Sequence, residues 1–401
     1  MENTIPSAKF NQYPLNVTYS QTKGRYFVAK RDITLGEVVL KCLPLSTAPF
    51  DNHRKRYCYT CKIYNPFSNS FKFYCKSCDL CYFCDRECFN QCFPIEQKID
   101  EKNLKDNDEK VICNKALFLK HELTCNISRK FSSWNINDKH MKSVVRLLVQ
   151  ILAERLIEKS DSKEKIDIGK ESSINNNENS PELNEQTSSV FILKNSSIAL
   201  KNSFQDFLLL QSHYLDWPND IKRDWLKHEK FLMNLFKSSK LLDEDAKFED
   251  LLHMVSKIES NGFGVYYKCK GKNGLFGRAI YPYASFFNHS CDANCDAIQD
   301  NYDKDEIQLS TLVDDESELS CNSNKLCGEM KFVALRNIIK GEELTISYIQ
   351  DENGLLPLQS RRQKLLSEYY FLCQCSKCIT DEKQYRKKSK NTKNRNVKLN
   401  T

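Results

Sequence analysis

Closely spaced cysteines mark the part of this sequence that is best suited to chemistry. Four pairs of metal-binding residue types follow one another: Cys58 and Cys61, Cys75 and Cys78, Cys84 and Cys88, and His121 and Cys125. A structural zinc ion takes four thiolate or imidazole ligands, and pairs with these spacings supply ligands two at a time. The eight residues therefore predict two zinc sites. The last pair follows a long gap, so Cys81, Cys92 and Cys113 stay alternative ligands there.

The hydrophobic pattern indicates which elements would position these residues. Short strands and turns are predicted over residues 15–45, and a helix over 138–158, where apolar residues recur at helical spacing. Strands resume at Gly262, and the last cysteines follow a predicted helix at 361–369. Residues 159–189 are rich in Ser, Asn, Glu and Lys, and this composition predicts a disordered insert.

The composition limits the class of protein. The chain has 401 residues, enough for two or three domains, and a net charge of +7 from 60 basic and 53 acidic residues. This balance argues against a protein that coats nucleic acid with a uniformly basic surface. The N-terminus lacks the pattern of a signal peptide, and no apolar run approaches the ~18 residues that span a bilayer. We therefore expect no membrane partner and a reducing compartment, the nucleus or the cytoplasm, where the 19 cysteines bind metal.

Three motifs in the second half carry a resemblance to a known family. They are Asn288-His289-Ser290-Cys291, then Gly341-Glu342-Glu343 with Tyr348 downstream, and finally Cys373-x-Cys375-x2-Cys378. In this order the motifs resemble the SET-domain methyltransferases. The cysteine pairs resemble a MYND zinc finger, and together the two resemble the SMYD-like group. The triplets Lys23-Gly24-Arg25 and Asn261-Gly262-Phe263 fit the same resemblance.

The resemblance implies an α+β fold. Its main part is a mostly β, pseudoknot-like SET fold, which is split by the MYND finger and a helical insert and followed by a zinc-binding segment. The implied division is an N-terminal SET part at 1–50, the finger at 51–130, the helical insert at 131–255, the SET core at 256–350, the post-SET segment at 351–380 and a basic disordered tail at 381–401.

The resemblance also implies a methyl-donor site. The residues expected to contact S-adenosylmethionine are Lys23, Gly24, Arg25, Asn261, Ser285, Phe287, Asn288, His289, Tyr348 and Phe371. Asn261 would bind the amino-acid end of the donor, and Phe371 would pack on its adenine. Tyr348 would be the catalytic tyrosine, with a neutral hydroxyl near the transferring methyl group. In-line methyl transfer depends on orientation and on exclusion of water rather than on a side-chain nucleophile.

In MYND fingers the ligand pairs interleave. Carried over to this chain, one zinc would be bound by Cys58, Cys61, Cys84 and Cys88, and a second by Cys75, Cys78, His121 and Cys125. The C-terminal triplet is one ligand short of a tetrahedral site. A third zinc would be bound by Cys291, Cys373, Cys375 and Cys378, which gives an expected content of about three zinc ions per chain.

The implied function is transfer of a methyl group from S-adenosylmethionine to a lysine of a histone or another protein by a monomer. The alternative is a catalytically inactive adaptor that binds a peptide through the MYND finger. Tyr26 motivates this alternative, because many relatives have glycine there and a bulky ring would narrow the donor pocket. A nucleic-acid-binding zinc protein would rest on the finger and on the basic run 386–398, which is more simply a solvated tail. We expect no sequence-specific nucleic-acid partner.

Overall fold

The computed structural model describes residues 7–93, 115–132, 134, 136, 138–171, 199–269, 272–299, 328–351 and 354–398. The strands in this part of the chain are β1 (Leu15–Ser20), β2 (Gly24–Ala29), β3 (Val38–Cys42), β4 (Ser46–Pro49), β5 (Phe73–Tyr74), β6 (Tyr82–Phe83), β7 (Gly262–Cys269), β8 (Lys272–Ile280), β9 (Asn288–His289), β10 (Cys295–Gln299), β11 (Met330–Ala334) and β12 (Glu343–Ile346). The helices are α1 (Arg86–Cys92), α2 (Lys115–Ser132), α3 (Lys139–Glu171), α4 (Phe204–Leu208), α5 (Asn219–Leu226), α6 (Glu229–Ser238), α7 (Phe248–Asn261), α8 (Leu358–Tyr369) and α9 (Ser376–Lys398). Within the described ranges, no helix has the length and apolar composition needed to cross a membrane.

A four-stranded sheet joins the two ends of the chain. Its strand order is β1-β2-β12-β9, with β12 antiparallel to β2 and parallel to β9. Leu344 lies opposite Phe27 in this sheet, and both side chains are fully buried. Thr345 pairs with Asn288, so the N-terminal hairpin and the motif at 288–291 lie on opposite sides of one strand.

Two further sheets have three strands each, and β5 and β6 pair as a separate two-stranded sheet. The strand orders of the three-stranded sheets are β10-β11-β3 and β4-β8-β7, so each combines an N-terminal strand with strands from the second half. Phe287 and Phe332 stack between the sheets with ring centroids 4.3 Å apart. The predicted α+β fold, in which an insertion divides the β part, is confirmed.

The helices between the two β parts have a core of their own. Val144, Leu148 and Leu152 recur on one face of α3 and are fully buried. They pack with residues of α6 and α7, among them Phe236 and Leu251. This spacing is the amphipathic pattern seen in the sequence, and the burial of this face is what stabilises the helical insert.

Two segments expected to be disordered are helical where the structure describes them. Helix α3 continues to Glu171, although disorder was predicted from residue 159. Extending an existing helix avoids the cost of nucleation, and Glu and Lys are good helix formers. Residues 172–189 lie outside the described part. The tail predicted to be disordered from residue 381 instead continues α9 to Lys398, helped by an ion pair between Glu382 and Arg386 four residues apart.

Phe332→Ala tests whether the contact between the sheets stabilises the β part. Loss of this buried ring should lower the free energy of unfolding by about 3–5 kcal/mol, because the substitution removes apolar contact and leaves a cavity. Urea denaturation followed by circular dichroism measures the change. Ile339→Ala is the control, since Ile339 is 69% exposed and its loss should change the stability by less than about 0.5 kcal/mol. Equal effects of the two substitutions would contradict this account of the core.

Candidate active site and metal clusters

The twelve predicted metal ligands lie in three groups of four. Within each group the ligand atoms all lie within 4.8 Å of one another. The groups are Cys58, Cys61, Cys84 and Cys88; Cys75, Cys78, His121 and Cys125; and Cys291, Cys373, Cys375 and Cys378. This grouping coincides with the interleaved pairing expected for the finger and with the expected completion of the C-terminal triplet.

Distances within the groups fit a tetrahedral metal. The sulfur atoms of Cys61 and Cys84 lie 3.6 Å apart, and Cys291 Sγ lies 3.9 Å from Cys373 Sγ and 3.6 Å from Cys378 Sγ. Zinc–sulfur bonds of about 2.3 Å in a tetrahedron give sulfur–sulfur distances of about 3.8 Å. A disulfide would need about 2.05 Å. The arrangement therefore has the size and the donor chemistry of zinc sites.

Two helices, α1 and α2, position ligands of the finger. Asp85 caps the N-terminus of α1 by accepting a hydrogen bond from the backbone N–H of Cys88 at 2.7 Å, which fixes one ligand pair at the start of this helix. Helix α2 carries His121 and Cys125 one turn apart. The alternative ligands Cys81 and Cys92 are buried in the finger core but lie outside the three groups, and Cys113 lies outside the described residues.

A buried arginine supports the third group, and no sequence pattern singles it out. Arg361 on α8 is 2% exposed and donates to Asp381 Oδ2 at 2.6 Å. The same guanidinium lies 3.6 Å from Cys378 Sγ. Four thiolates around one zinc ion leave two negative charges, which this guanidinium would partly offset. Arg361 thus joins α8 and α9 to the group.

The motif at 288–291 makes polar contacts with both neighbouring strands of the sheet. Asn288 Nδ2 donates to Glu343 Oε1 at 2.9 Å. The other oxygen of this carboxylate accepts from Lys23 Nζ at 2.5 Å. Glu343 therefore joins two residues that were predicted to contact the donor from opposite sides. Its part in the site was missed, although it belongs to a motif that carried the resemblance.

His289 connects Tyr348 with the third metal group. Its Nδ1 accepts a hydrogen bond from the backbone N–H of Tyr348 at 3.0 Å, so the proton of the neutral ring belongs on Nε2. That nitrogen lies 3.3 Å from Cys291 Sγ. Burial is the main cause that lowers the pKa of His289 to about 4 and keeps the ring neutral. The rings of Tyr348 and Phe371 lie 5.4 and 6.0 Å from the imidazole and form an aromatic wall.

Tyr348 lies at the wall of a cavity of about 560 Å³. Its hydroxyl donates to the backbone carbonyl of Phe287 at 2.6 Å, and burial raises its pKa above the ordinary value. The predicted site residues that line the cavity are Asn261, Ser285, Phe287 and Tyr348, and the further aromatic residues are Phe263, Tyr266, Tyr267 and Tyr369. A cavity of this kind suits an alkyl chain that ends in an amine.

The N-terminal side of the site meets the helical insert. Gly24 has a left-handed φ of 68°, which a residue with a side chain rarely adopts. Arg25 Nη1 donates to the backbone oxygen of Leu209 at 2.8 Å rather than pointing to open space. Tyr26, which motivated the adaptor alternative, lies beneath Lys23 with the ammonium 5.5 Å from its ring centroid. It is not among the residues that line the cavity.

Comparisons with known proteins agree with this geometry. The sequence model of the SET domain matches residues 154–349. A SET and MYND domain-containing protein of Dictyostelium discoideum is 26% identical over 92% of this chain and 61% of its own length. A second such Dictyostelium protein is 24% identical over 92% of this chain and 82% of its own length. The human histone-lysine N-methyltransferase SMYD3 is 29% identical over 33% of this chain and 24% of its own length.

A solved SET domain of LSMT bound to lysine and AdoHcy is similar at 11% identity, with a TM-score of 0.32. The similarity covers 90% of this chain and 54% of that chain. The SET match begins within α3, so strand β2 lies before the matched range. In the structure β2 nevertheless pairs with β12, which lies inside that range. The second half of the chain thus matches the SET domain, and over most of its length the chain is similar to SET and MYND domain-containing proteins, with three clusters of cysteine and histidine that fit this similarity.

Proposed function

We propose that this protein is an S-adenosylmethionine-dependent protein-lysine N-methyltransferase. The observation that carries the proposal is the position of Tyr348. Its hydroxyl is fixed by the Phe287 carbonyl at the wall of an aromatic cavity, and its backbone is bonded to His289 of the predicted donor turn. Relatives named histone-lysine N-methyltransferases, from Arabidopsis thaliana at 38% identity over 26% of the chain and from human, support the reaction class.

The hydrogen bond of Tyr348 determines what its oxygen can do. The one phenolic proton is donated to Phe287, so the lone pairs are left as acceptors for polarised C–H groups or for the substrate amine. The raised pKa keeps the phenol neutral. Bound S-adenosylmethionine would supply a methyl group activated by its sulfonium. Tyr348 would orient that methyl group and the lysine nitrogen, while the surrounding rings exclude water.

The residues suited to hold the donor lie around the turn at 288–291. Asn288 and His289 present polar groups on β9, and Phe371 offers an aromatic face 6.0 Å from the imidazole for the adenine. Glu343 on β12 forms an ion pair with Lys23. Its carboxylate would place a negative charge near the cationic sulfonium of S-adenosylmethionine. These polar, aromatic and acidic side chains therefore suit the polar groups, the adenine and the sulfonium of S-adenosylmethionine.

The proposed substrate is a lysine side chain of a protein, with a histone as one candidate. The cavity is lined by several tyrosine rings, which can surround an alkyl chain and an amine. The chain spans 61% of the first Dictyostelium relative and 24% of SMYD3, so substrates of whole relatives are not transferred. We further propose that the protein acts as a monomer in the nucleus or the cytoplasm, where thiols stay reduced and available to zinc.

A peptide-binding adaptor without activity is the second candidate. It is supported by Tyr26, which places a large ring beside Lys23 at the predicted donor side of β2. A cavity of about 640 Å³ between the finger and helices α2 and α3 could accept a partner. The ordered contacts of Tyr348 favour the enzyme, because an adaptor has no use for a tyrosine held in this way.

Binding of the methyl donor separates the two candidates. Calorimetric titration of the purified full chain with S-adenosylmethionine should show saturable binding. Asn288→Ala should weaken it by about tenfold or more, through loss of a polar contact in the site. The matched control is Asn52→Ala, because Asn52 is exposed on the finger side of the protein. Absence of binding by the unmodified protein would leave the adaptor as the surviving candidate.

Tyr348→Phe tests the catalytic role. The substitution should lower methyl transfer to a lysine-peptide array by about a hundredfold, while donor affinity stays within a few-fold, because the oxygen acts on the reacting groups. Tyr19→Phe is the control, as Tyr19 is 69% exposed. A Tyr348→Phe protein as active as the unmodified one would refute the assignment.

We also propose that each of the three ligand groups binds one zinc ion. Elemental analysis of reduced protein should give about three zinc ions per chain. Cys375→Ser should reduce this to about two and weaken donor binding, since Phe371 precedes the triplet. Cys295→Ala removes a buried cysteine outside the groups and should leave the zinc content unchanged. A zinc content near zero in the unmodified protein would exclude the metal assignment.

A further inference from the structure

The cavity beside Tyr348 has a single charged residue in its wall, within the part of the chain that the structure describes. This residue is Asp296, and every other lining residue is uncharged. The side chain of Asp296 is exposed, and Ile298, two residues later on the same face of β10, is 40% exposed. Phe287, which also lines the cavity, is fully buried. Asp296 therefore lies at the open side of the cavity.

A hydrogen bond holds the carboxylate of Asp296 at the free edge of β10. This strand is an edge strand, with β11 as its neighbour in the sheet. Leu335 N donates to Asn294 O at 2.8 Å, so the ladder bonds to β11 recur at every second residue from Asn294, at Asp296 and Ile298. The N–H of Ala297 therefore points away from β11, and Asp296 Oδ1 accepts from it at 2.9 Å. The carboxylate thus lies on the side of β10 that no other strand covers.

Gln299 joins this edge to the opposite wall of the cavity. Its Oε1 accepts from the backbone N–H of Tyr266 at 3.0 Å, and its Nε2 donates to Gly264 O at 2.8 Å. Both partners belong to β7, which is the edge strand of another sheet. The amide spans the two edges where the register of β7 shifts, between Val265 and Tyr266. The strand that carries Asp296 therefore has a fixed position relative to the tyrosines of β7.

The position of Asp296 decides which part of a substrate it can meet. The nitrogen of the target lysine has to reach Tyr348, whose hydroxyl is bonded to the carbonyl of buried Phe287. A group that stays at the open side belongs to a neighbouring residue of the substrate. Among the described residues, no lysine, arginine or histidine forms an ion pair with the Asp296 carboxylate. Its charge is therefore available to attract a basic side chain and to repel an acidic one.

We propose that Asp296 selects substrates in which a basic residue lies close to the target lysine. This inference rests on the proposed function and names the substrate class of the same site. Gln299 is a positioning residue in it, because its amide holds β10, and with it the carboxylate, against β7. A role that is confined to blocking the strand edge is the competing explanation of Asp296, since charged side chains often prevent an edge strand from pairing with another chain.

Methylation of a lysine-peptide array with varied neighbours tests the selection. At low peptide concentration, the unmodified protein should methylate peptides with arginine beside the target lysine about fivefold faster than peptides with glutamine there, the upper range for an exposed ion pair. Asp296→Asn keeps an oxygen that can accept from Ala297 and removes the charge, so this preference should disappear. The change should lie in KM, with kcat unchanged, because the carboxylate does not touch the reacting groups. Asp245→Asn is the matched control, since Asp245 is an exposed acid of the helical insert outside the cavity wall.

Charge reversal and salt separate selection from edge blocking. Asp296→Lys should reverse the preference, so that peptides with glutamate beside the target lysine are methylated faster than those with arginine. Salt at about 1 M should weaken the preference of the unmodified protein, because the screening length falls to about 3 Å. Gln299→Ala should lower the preference while leaving the affinity for S-adenosylmethionine unchanged. A preference that is the same in Gln299→Ala would overturn the positioning role.

The outcomes distinguish this inference from the proposed function. If the unmodified protein methylates no peptide of the array, the proposed function fails and the inference fails with it. If the protein methylates peptides equally well with arginine and with glutamine beside the lysine, the inference alone is overturned. An Asp296→Asn protein that keeps the preference for arginine would also overturn it and would leave edge blocking as the role of this carboxylate.

Discussion

The meeting of four cysteine sulfur atoms, Cys291 with Cys373, Cys375 and Cys378, is the constraint on which the active-site side of this protein depends. Cys291 comes from the donor turn, and its three partners come from a segment more than eighty residues later. Four thiolates at such distances would repel one another, and the proposed zinc ion would offset their charge. The position of Phe371, the start of α9 and the contact with His289 all follow from this arrangement. Arg361 strengthens it from the outside with a buried positive charge.

Strand β12 connects the turn that carries Cys291 with Tyr348, the proposed catalytic residue. It is parallel to β9 and antiparallel to β2, so one strand carries contacts to both predicted halves of the donor site. Tyr348 lies two residues after the end of the strand and makes two hydrogen bonds, from its backbone N–H to His289 and from its hydroxyl to Phe287. A shift of the turn at 288–291 would therefore move the tyrosine, the imidazole and the metal group together. The relative positions of these groups therefore depend on the shared backbone of this turn and strand.

Cysteine spacing and ordered motifs predicted much of the site, since each reports a local geometry. The cysteine and histidine pairs cluster as their spacing and the resemblance predicted, whereas the roles of Asn288, His289 and Tyr348 stay predictions. Glu343 and Arg361 were missed because their contacts join residues that lie far apart in the sequence, as with the bond between Lys23 and Glu343. Their types are common on helices and strands, so no sequence signal separates them from surface residues. Helices α3 and α9 continue into segments that were predicted to be disordered from their polar composition. A polar segment that follows an existing helical turn can extend the helix, because the cost of nucleation has already been met.

The pairing of β2 with β12 has a consequence for how the protein is made. Lys23 and Glu343 are 320 residues apart in the chain, so the first strands leave the ribosome long before their partner exists. Contacts of such large sequence separation form slowly. Until β12 is synthesised, the inner edge of β2 has no strand beside it and presents a surface on which other chains can assemble. The finger and the helical insert, whose contacts are more local, can fold during this interval, and closure of the donor site is then among the last events of synthesis.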